Sequence, residues 1–219
     1  MRPTASDHIA QFLGDRGVEI VFGLCGHTNI SVLAAFQRAG QPRFVTTRHE
    51  QVAAHAADGY ARASGRPGVV LLHVGPGLTN AATGVATAAF DSVPLLVIAG
   101  DVLSYFEGRG PHQEFNLRRD ADQVSVYEPF VKRAWRVRRV EQVPRTLARA
   151  WDLALAGRPG PVLVSVPMDI LAEVLDAAVI PASPLEPPAL SGRRARRSSS
   201  ASWGSGVRRR RTGLPLRPT

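Results

Sequence analysis

Short apolar segments that alternate with helical segments constrain the fold of this chain most strongly. Residues 69–74 form an almost unbroken apolar run, which is typical of a strand buried on both faces of a parallel sheet. Other strands are predicted at 18–22, 43–47, 94–99, 130–137 and 161–166, and helices at 6–14, 28–39, 50–62, 78–90 and 143–156. This alternation predicts an α/β fold, a three-layer doubly wound sheet of about six mainly parallel strands with helices on both faces.

The length of 219 residues allows one domain of ordinary size and a tail. We expect the domain at 1–175, a proline-rich linker at 176–190 and a disordered tail rich in Arg, Ser and Pro at 191–219. The single cysteine, Cys25, excludes an internal disulfide. Because the start lacks the apolar segment of a signal peptide and no apolar run could span a bilayer, we expect a cytoplasmic protein without membrane contact.

The net charge of +9 comes entirely from the tail. Nine of the 27 basic residues follow position 190, where no acid occurs, and the other 18 balance the 18 acidic residues. A neutral body disfavours nucleic acid as a partner, although binding through the basic tail stays an alternative. A frameshift in a GC-rich gene would also produce such a tail.

A carboxylate, Glu50, follows directly after the predicted second strand. It opens an alanine-rich helix, and open α/β sheets place functional groups at this kind of position. There an acid can share or donate a proton to a ligand. A helix N-terminal glutamate that favours the helix dipole would look the same.

Three further features lie at the same predicted sheet edge. His27 and His73 stand near the ends of the first and third strands, and residues 75–77 (Gly-Pro-Gly) read as a tight turn that lets a ligand approach a helix N-terminus. The histidines at 49 and 55 are six residues apart, not the four that a zinc-binding helix needs, so no metal ligands are expected in this chain.

Several motifs occur in order and together resemble one family. They are VFG (21–23), RHEQ (48–51), ADGYAR (57–62), GPGLTN (75–80), DSVP (91–94), HQE (112–114) and GRPGPV (157–162). Over about residues 4–175 the chain resembles the N-terminal pyrimidine-binding domain of thiamine-diphosphate enzymes, the group of acetolactate synthase, pyruvate oxidase and benzoylformate decarboxylase. Each motif alone is weak, but the set is specific.

The resemblance implies a cofactor and a role for each site residue. Glu50 would hydrogen-bond the 1′ nitrogen of the aminopyrimidine in thiamine diphosphate and favour its imino tautomer, which activates the thiazolium carbon. Gly26, Pro76 and Asn80 would also contact the cofactor. Because His27 and His73 stand at the same predicted sheet edge as Glu50, we expect them to join it as catalytic residues. His27 and Gln113 would line the pocket of a 2-oxo acid substrate. The reaction implied is decarboxylation or carboligation.

Departures from the family qualify this reading. His27 stands where the synthases have glycine, and His73 stands where they tend to have threonine. At the position of His73 the chain resembles the benzoylformate decarboxylase group instead. Both differences put acetolactate formation in doubt. The family's magnesium and diphosphate site lies in a C-terminal domain that this chain does not contain. We therefore expect a truncated chain, inactive alone, that would form a homodimer. Alternatively, it is a separate subunit that pairs with a diphosphate-binding chain.

Overall fold

The structure, a computed structural model, describes residues 2–115 and 122–176. Most of the linker expected at 176–190 and all of the tail expected at 191–219 lie outside the described residues. The helices are α1 (Ala5–Asp15), α2 (Ile30–Ala39), α3 (Glu50–Ser64), α4 (Gly75–Phe90), α5 (Gln142–Leu155) and α6 (Met168–Ala172), and the strands are β1 (Ile20–Gly23), β2 (Arg43–Thr46), β3 (Gly68–Leu72), β4 (Leu95–Asp101), β5 (Ala134–Arg136) and β6 (Val162–Pro167).

The six strands form one sheet in the order β2-β1-β3-β4-β6-β5, and every neighbouring pair runs parallel. The α/β fold predicted from the sequence is thus confirmed. From β1 the chain moves outward to β2 and then returns to β3 on the other side of β1. The loops after β1 and β3 therefore diverge to opposite faces at a switch point, where open α/β sheets bind ligands.

Alternate side chains of the central strands enter two separate cores. Val69, Leu71, Leu96 and Ile98 pack with α1, α2, α5 and α6 on one face, whereas Val70, Leu72, Leu95 and Val97 pack with α3 and α4 on the other. This alternation follows from the two-residue period of a strand. The three layers explain why β3 and β4 are buried along their whole length.

Several element boundaries differ from those expected. β3 ends at Leu72, so His73 follows the strand instead of belonging to it. Residues 75–77 are the first turn of α4, not a turn before it, because Pro at the second helical position needs no N–H partner there. β5 has three residues instead of eight. Within the described residues, no helix is both long and apolar enough to cross a membrane.

Candidate functional site

The carboxyl ends of β1, β2 and β3 meet at one edge of the sheet, and the polar residues singled out from the sequence gather there. His27 follows β1, Glu50 follows β2, and His73 follows β3. The loop between β4 and β5 brings Gln113 to the same edge, where it contacts His73. The structure thus places one carboxyl, two imidazoles and one amide around the switch point of the sheet.

Glu50 is the first residue of α3 and is 7% exposed. His49 caps this helix, since its Nδ1 accepts a hydrogen bond from the Gln51 backbone N–H at 3.2 Å. A negative charge in the first turn also interacts favourably with the helix dipole. The sequence places Glu50 just after a strand, and the cap at His49 fixes where α3 begins and therefore where Glu50 lies.

Asn80 binds the carboxyl group of Glu50 from α4. Its Nδ2 donates a hydrogen bond to Glu50 Oε2 over 2.9 Å. Among residues 2–115 and 122–176, Asn80 is the one hydrogen-bond partner of this carboxyl, so Oε1 remains available to a ligand. The hydrogen bond to Oε2 holds the orientation of the carboxyl group.

The first turn of α4 leaves space beside that free oxygen. A Cβ added to Gly77 would lie 3.6 Å from Glu50 Oε1 and 3.4 Å from the Cβ of His73. Any side chain longer than a methyl group would therefore fill the volume between Glu50 and His73. Pro76, the neighbouring residue, is exposed. The glycine keeps open a cradle whose wall includes the Glu50 carboxyl.

His27 and His73 form a contacting pair, as their positions after β1 and β3 allow. Their ring centroids are 4.5 Å apart and the rings are nearly perpendicular. His27 is exposed and His73 is half-buried. A Cβ on Gly26 would lie 2.3 Å from Cγ of His73, so only glycine lets the two segments approach this closely.

Both nitrogens of the His73 ring are hydrogen-bonded. Nδ1 lies 2.8 Å from Thr28 Oγ1 and accepts from the Thr28 backbone N–H at 3.4 Å, and Nε2 lies 2.7 Å from Gln113 Oε1. Burial lowers the pKa of His73 most, His27 and His112 lower it further, and the bond to Gln113 and the charge of Glu50 oppose the shift. The ring is therefore held in its neutral form.

Sequence reasoning missed three residues that support this edge. Thr28 is buried and contacts His73. Gln123 Oε1 accepts from the Gly75 N–H at 3.0 Å, and the Tyr127 hydroxyl donates to the Leu78 carbonyl at 2.6 Å, so both side chains hold the first turn of α4. The available signal was an aromatic residue, Tyr127, in the segment between the predicted strands at 94–99 and 130–137.

Two buried aspartates, Asp58 and Asp101, make ion pairs with arginines. Asp101 is 2% exposed and binds Arg136 at 2.9 Å, and burial raises its pKa despite that charge. Asp58 pairs with Arg62 at 2.9 Å one turn further along α3. In the part of the chain that the structure describes, no three His, Cys, Asp or Glu side chains are grouped so that they could hold a metal ion.

Comparisons with known proteins agree with this geometry. Residues 3–126 match the family model described as "Thiamine pyrophosphate enzyme, N-terminal TPP binding domain". The acetolactate synthase large subunit of Haemophilus influenzae is 42% identical over 166 residues, which cover 76% of this chain and 28% of that protein. The isozyme 3 large subunit of Escherichia coli is 43% identical over 168 residues, 77% of this chain and 28% of the relative.

A plant relative extends the same pattern. The chloroplastic acetolactate synthase of Arabidopsis thaliana is 41% identical over 165 residues, or 75% of this chain and 24% of that protein. The chain thus spans about a quarter of the length of these curated relatives. The family match covers more than half of the chain and includes Glu50, Gly77 and Asn80. The chain therefore belongs to the family of the N-terminal TPP-binding domain of thiamine pyrophosphate (thiamine diphosphate) enzymes.

Proposed function

We propose that this chain binds the aminopyrimidine half of thiamine diphosphate as part of a 2-oxo-acid decarboxylase or carboligase. One observation carries the proposal. The buried carboxyl of Glu50 has one oxygen fixed by Asn80 and the other beside the space that Gly77 leaves open. The relatives that are named acetolactate synthases support the reaction class.

The residues at this site suit the proposed ligand. An aminopyrimidine presents ring nitrogens and an exocyclic amine, and Glu50 Oε1 can share a proton with one such nitrogen. Asn80 keeps Oε2 occupied, so the proton exchange is confined to Oε1. When it is bound, the cofactor supplies the carbanion equivalent and the electron sink that decarboxylation needs. The contribution of this chain is to exchange one proton with the aminopyrimidine at Glu50 Oε1.

The two histidines and Gln113 occupy the side of the site that we assign to the substrate. Gly26 lies against His73 in the loop after β1, and Pro76 lies in the first turn of α4. Imidazole and amide groups can hydrogen-bond both the carboxylate and the carbonyl oxygen of a 2-oxo acid. Two imidazoles at these positions favour a decarboxylase over an acetolactate-forming synthase.

The diphosphate and its magnesium ion would bind to protein outside the described part of this chain. The described residues contain no metal-binding group, and the chain spans about a quarter of its relatives. We therefore propose that a second region or chain completes the site, in a homodimer or a two-chain enzyme. A cytoplasmic location and the alternative of nucleic-acid binding through residues 191–219 remain predictions.

Thiamine, which carries the aminopyrimidine without the diphosphate, tests the proposal on the chain itself. In the ¹⁵N-labelled chain, the side-chain amide resonances of Asn80 should shift saturably as thiamine is added. Glu50→Ala should abolish this ligand-induced shift, whereas Glu19→Gln, a change at an exposed glutamate paired with Arg66, should preserve it. A shift that survives Glu50→Ala, or no saturable shift at all, would contradict the proposed site.

A further inference from the structure

The two histidines of the site differ in what their ring nitrogens contact. In residues 2–115 and 122–176, the His27 ring has no hydrogen-bond partner and is exposed. Both nitrogens of His73 are occupied, Nδ1 by Thr28 and Nε2 by Gln113. A ring with two occupied nitrogens cannot exchange a proton with a ligand unless one of these contacts breaks.

The contacts of Thr28 determine the tautomer of His73. The Thr28 backbone N–H can only donate, so Nδ1 must be an acceptor. The Thr28 hydroxyl oxygen already accepts from the Val74 N–H at 3.3 Å, which leaves the hydroxyl hydrogen directed to Nδ1. The hydrogen of the neutral ring is therefore on Nε2, and Nε2 donates to Gln113 Oε1.

The bond from Nε2 in turn orients the amide of Gln113. Its carbonyl oxygen must face the donor, so its NH₂ group is directed away from His73. The backbone of Gln113 is left-handed, with φ of 66°, a conformation that non-glycine residues rarely adopt. A Cβ on Gly75 would lie 2.6 Å from the Gln113 carbonyl oxygen, so the loop is seated closely on the start of α4.

We propose that His73 is a positioning residue that fixes the amide of Gln113, and that His27 alone exchanges protons with the substrate. In that exchange the His27 ring takes up a proton from solvent and passes it to an oxygen of the substrate, which returns the ring to its starting form. The assignment rests on the proposed function for the identity of the ligand. The hydrogen bonds that carry it belong to the chain alone.

Long-range ¹H–¹⁵N NMR of the full ¹⁵N-labelled chain tests the assignment without cofactor. We expect His73 to show a protonated Nε2 and an unprotonated Nδ1 at neutral pH. Gln113→Ala removes the acceptor, and the Nε2 hydrogen should then exchange with water about tenfold faster, as the loss of one hydrogen bond predicts. Gln113→Glu keeps the acceptor and adds a charge, so it should retain the slow exchange and raise the pKa of His73.

The matched control is His112→Ala, in the same loop. His112 contributes charge but no hydrogen bond to His73 among the described residues, so its removal should leave the tautomer and the exchange rate unchanged. A hydrogen on Nδ1 in the unaltered chain would overturn the proposal. So would an exchange rate that Gln113→Ala does not change. Because no cofactor is added, the NMR measurement can contradict the assignment of His73 while thiamine still binds at Glu50. Equally, thiamine binding can fail while the assignment of His73 is confirmed.

Discussion

The Glu50 carboxyl is held by one side-chain hydrogen bond, from Asn80, and this leaves its second oxygen for chemistry. Glu50→Gln preserves the size of the side chain and one acceptor oxygen for Asn80 but cannot exchange a proton. In a complex of this chain with a diphosphate-binding chain, hydrogen–deuterium exchange at the thiazolium carbon of the cofactor should slow by at least about a hundredfold. NMR of the bound cofactor measures that rate, and an unchanged rate would falsify the role of Glu50.

The neutral state of His73 makes folding stability depend on pH. Its pKa in the folded chain lies below the ordinary value of 6.5, so below that pH the unfolded state binds more protons than the folded state. The stabilisation is complete above pH 6.5 and is lost progressively as the pH falls towards the folded pKa. Urea unfolding should show a free energy that decreases from about pH 7.5 to about pH 5.5.

Replacement of His73 by Gln should remove part of this pH dependence. Burial also lowers the pKa of His8, so His8 contributes in the same direction, and some dependence should remain in the variant. A free energy of unfolding whose pH slope is the same with and without His73 would show that the ring is not held neutral by the fold.

At the scale of single residues, the sequence identified positions better than contacts. Glu50, His27 and His73 could be assigned to one edge because each stands at or shortly after the carboxyl end of a predicted strand. Thr28 could not be assigned as a partner of His73, because 45 positions separate them and no local pattern links them. The contact with Gln113 depends on a left-handed backbone at a non-glycine residue, which the sequence does not indicate.

The separation of α3 and α4 sets the distance between Glu50 and Asn80. The two helices touch where Gly84 meets Ala54, and a Cβ on Gly84 would lie 2.6 Å from Ala54 Cβ and 3.1 Å from His55 N. Gly84→Ala should push the helices apart and destabilise the fold by about 1–3 kcal/mol, as overpacking does. Denaturant titration of the variant gives this number.

Gly59 in α3 provides the matched control, since an added Cβ there meets no heavy atom within 4 Å. Gly59→Ala should stabilise the chain by about 0.5–1 kcal/mol, because alanine loses less backbone entropy in a helix. Equal effects of the two substitutions would argue against close packing at Gly84.

At the scale of elements, the strands buried on both faces were predicted well and the edges poorly. The continuous apolar pattern of β3 and β4 fits few structures other than a buried strand. In contrast, β5 pairs only with β6 and has three residues in the sheet. The predicted run at 130–137 includes Lys132, whose ammonium instead donates to the Leu153 and Ala156 carbonyls at the end of α5. Tertiary contact of this kind overrides local strand propensity.

For the whole molecule, the central question is what completes the site. The described residues offer a carboxyl, imidazoles and amides, which suit an aminopyrimidine and a 2-oxo acid. A diphosphate carries several negative charges and binds to proteins through magnesium or helix N-termini. The matched relatives are about four times as long as the matched region, so protein beyond that region is available to bind this group in them.

We therefore predict that the purified chain alone neither turns over a 2-oxo acid nor binds thiamine diphosphate tightly in a magnesium-dependent manner. The aminopyrimidine contacts at Glu50 would remain, so weak binding of similar strength is expected for thiamine and for thiamine diphosphate, with and without magnesium. Isothermal titration calorimetry with the two ligands measures this comparison directly. Affinity for the diphosphate that rises strongly when magnesium is added, or decarboxylation by this chain alone, would show that the chain already contains a complete site.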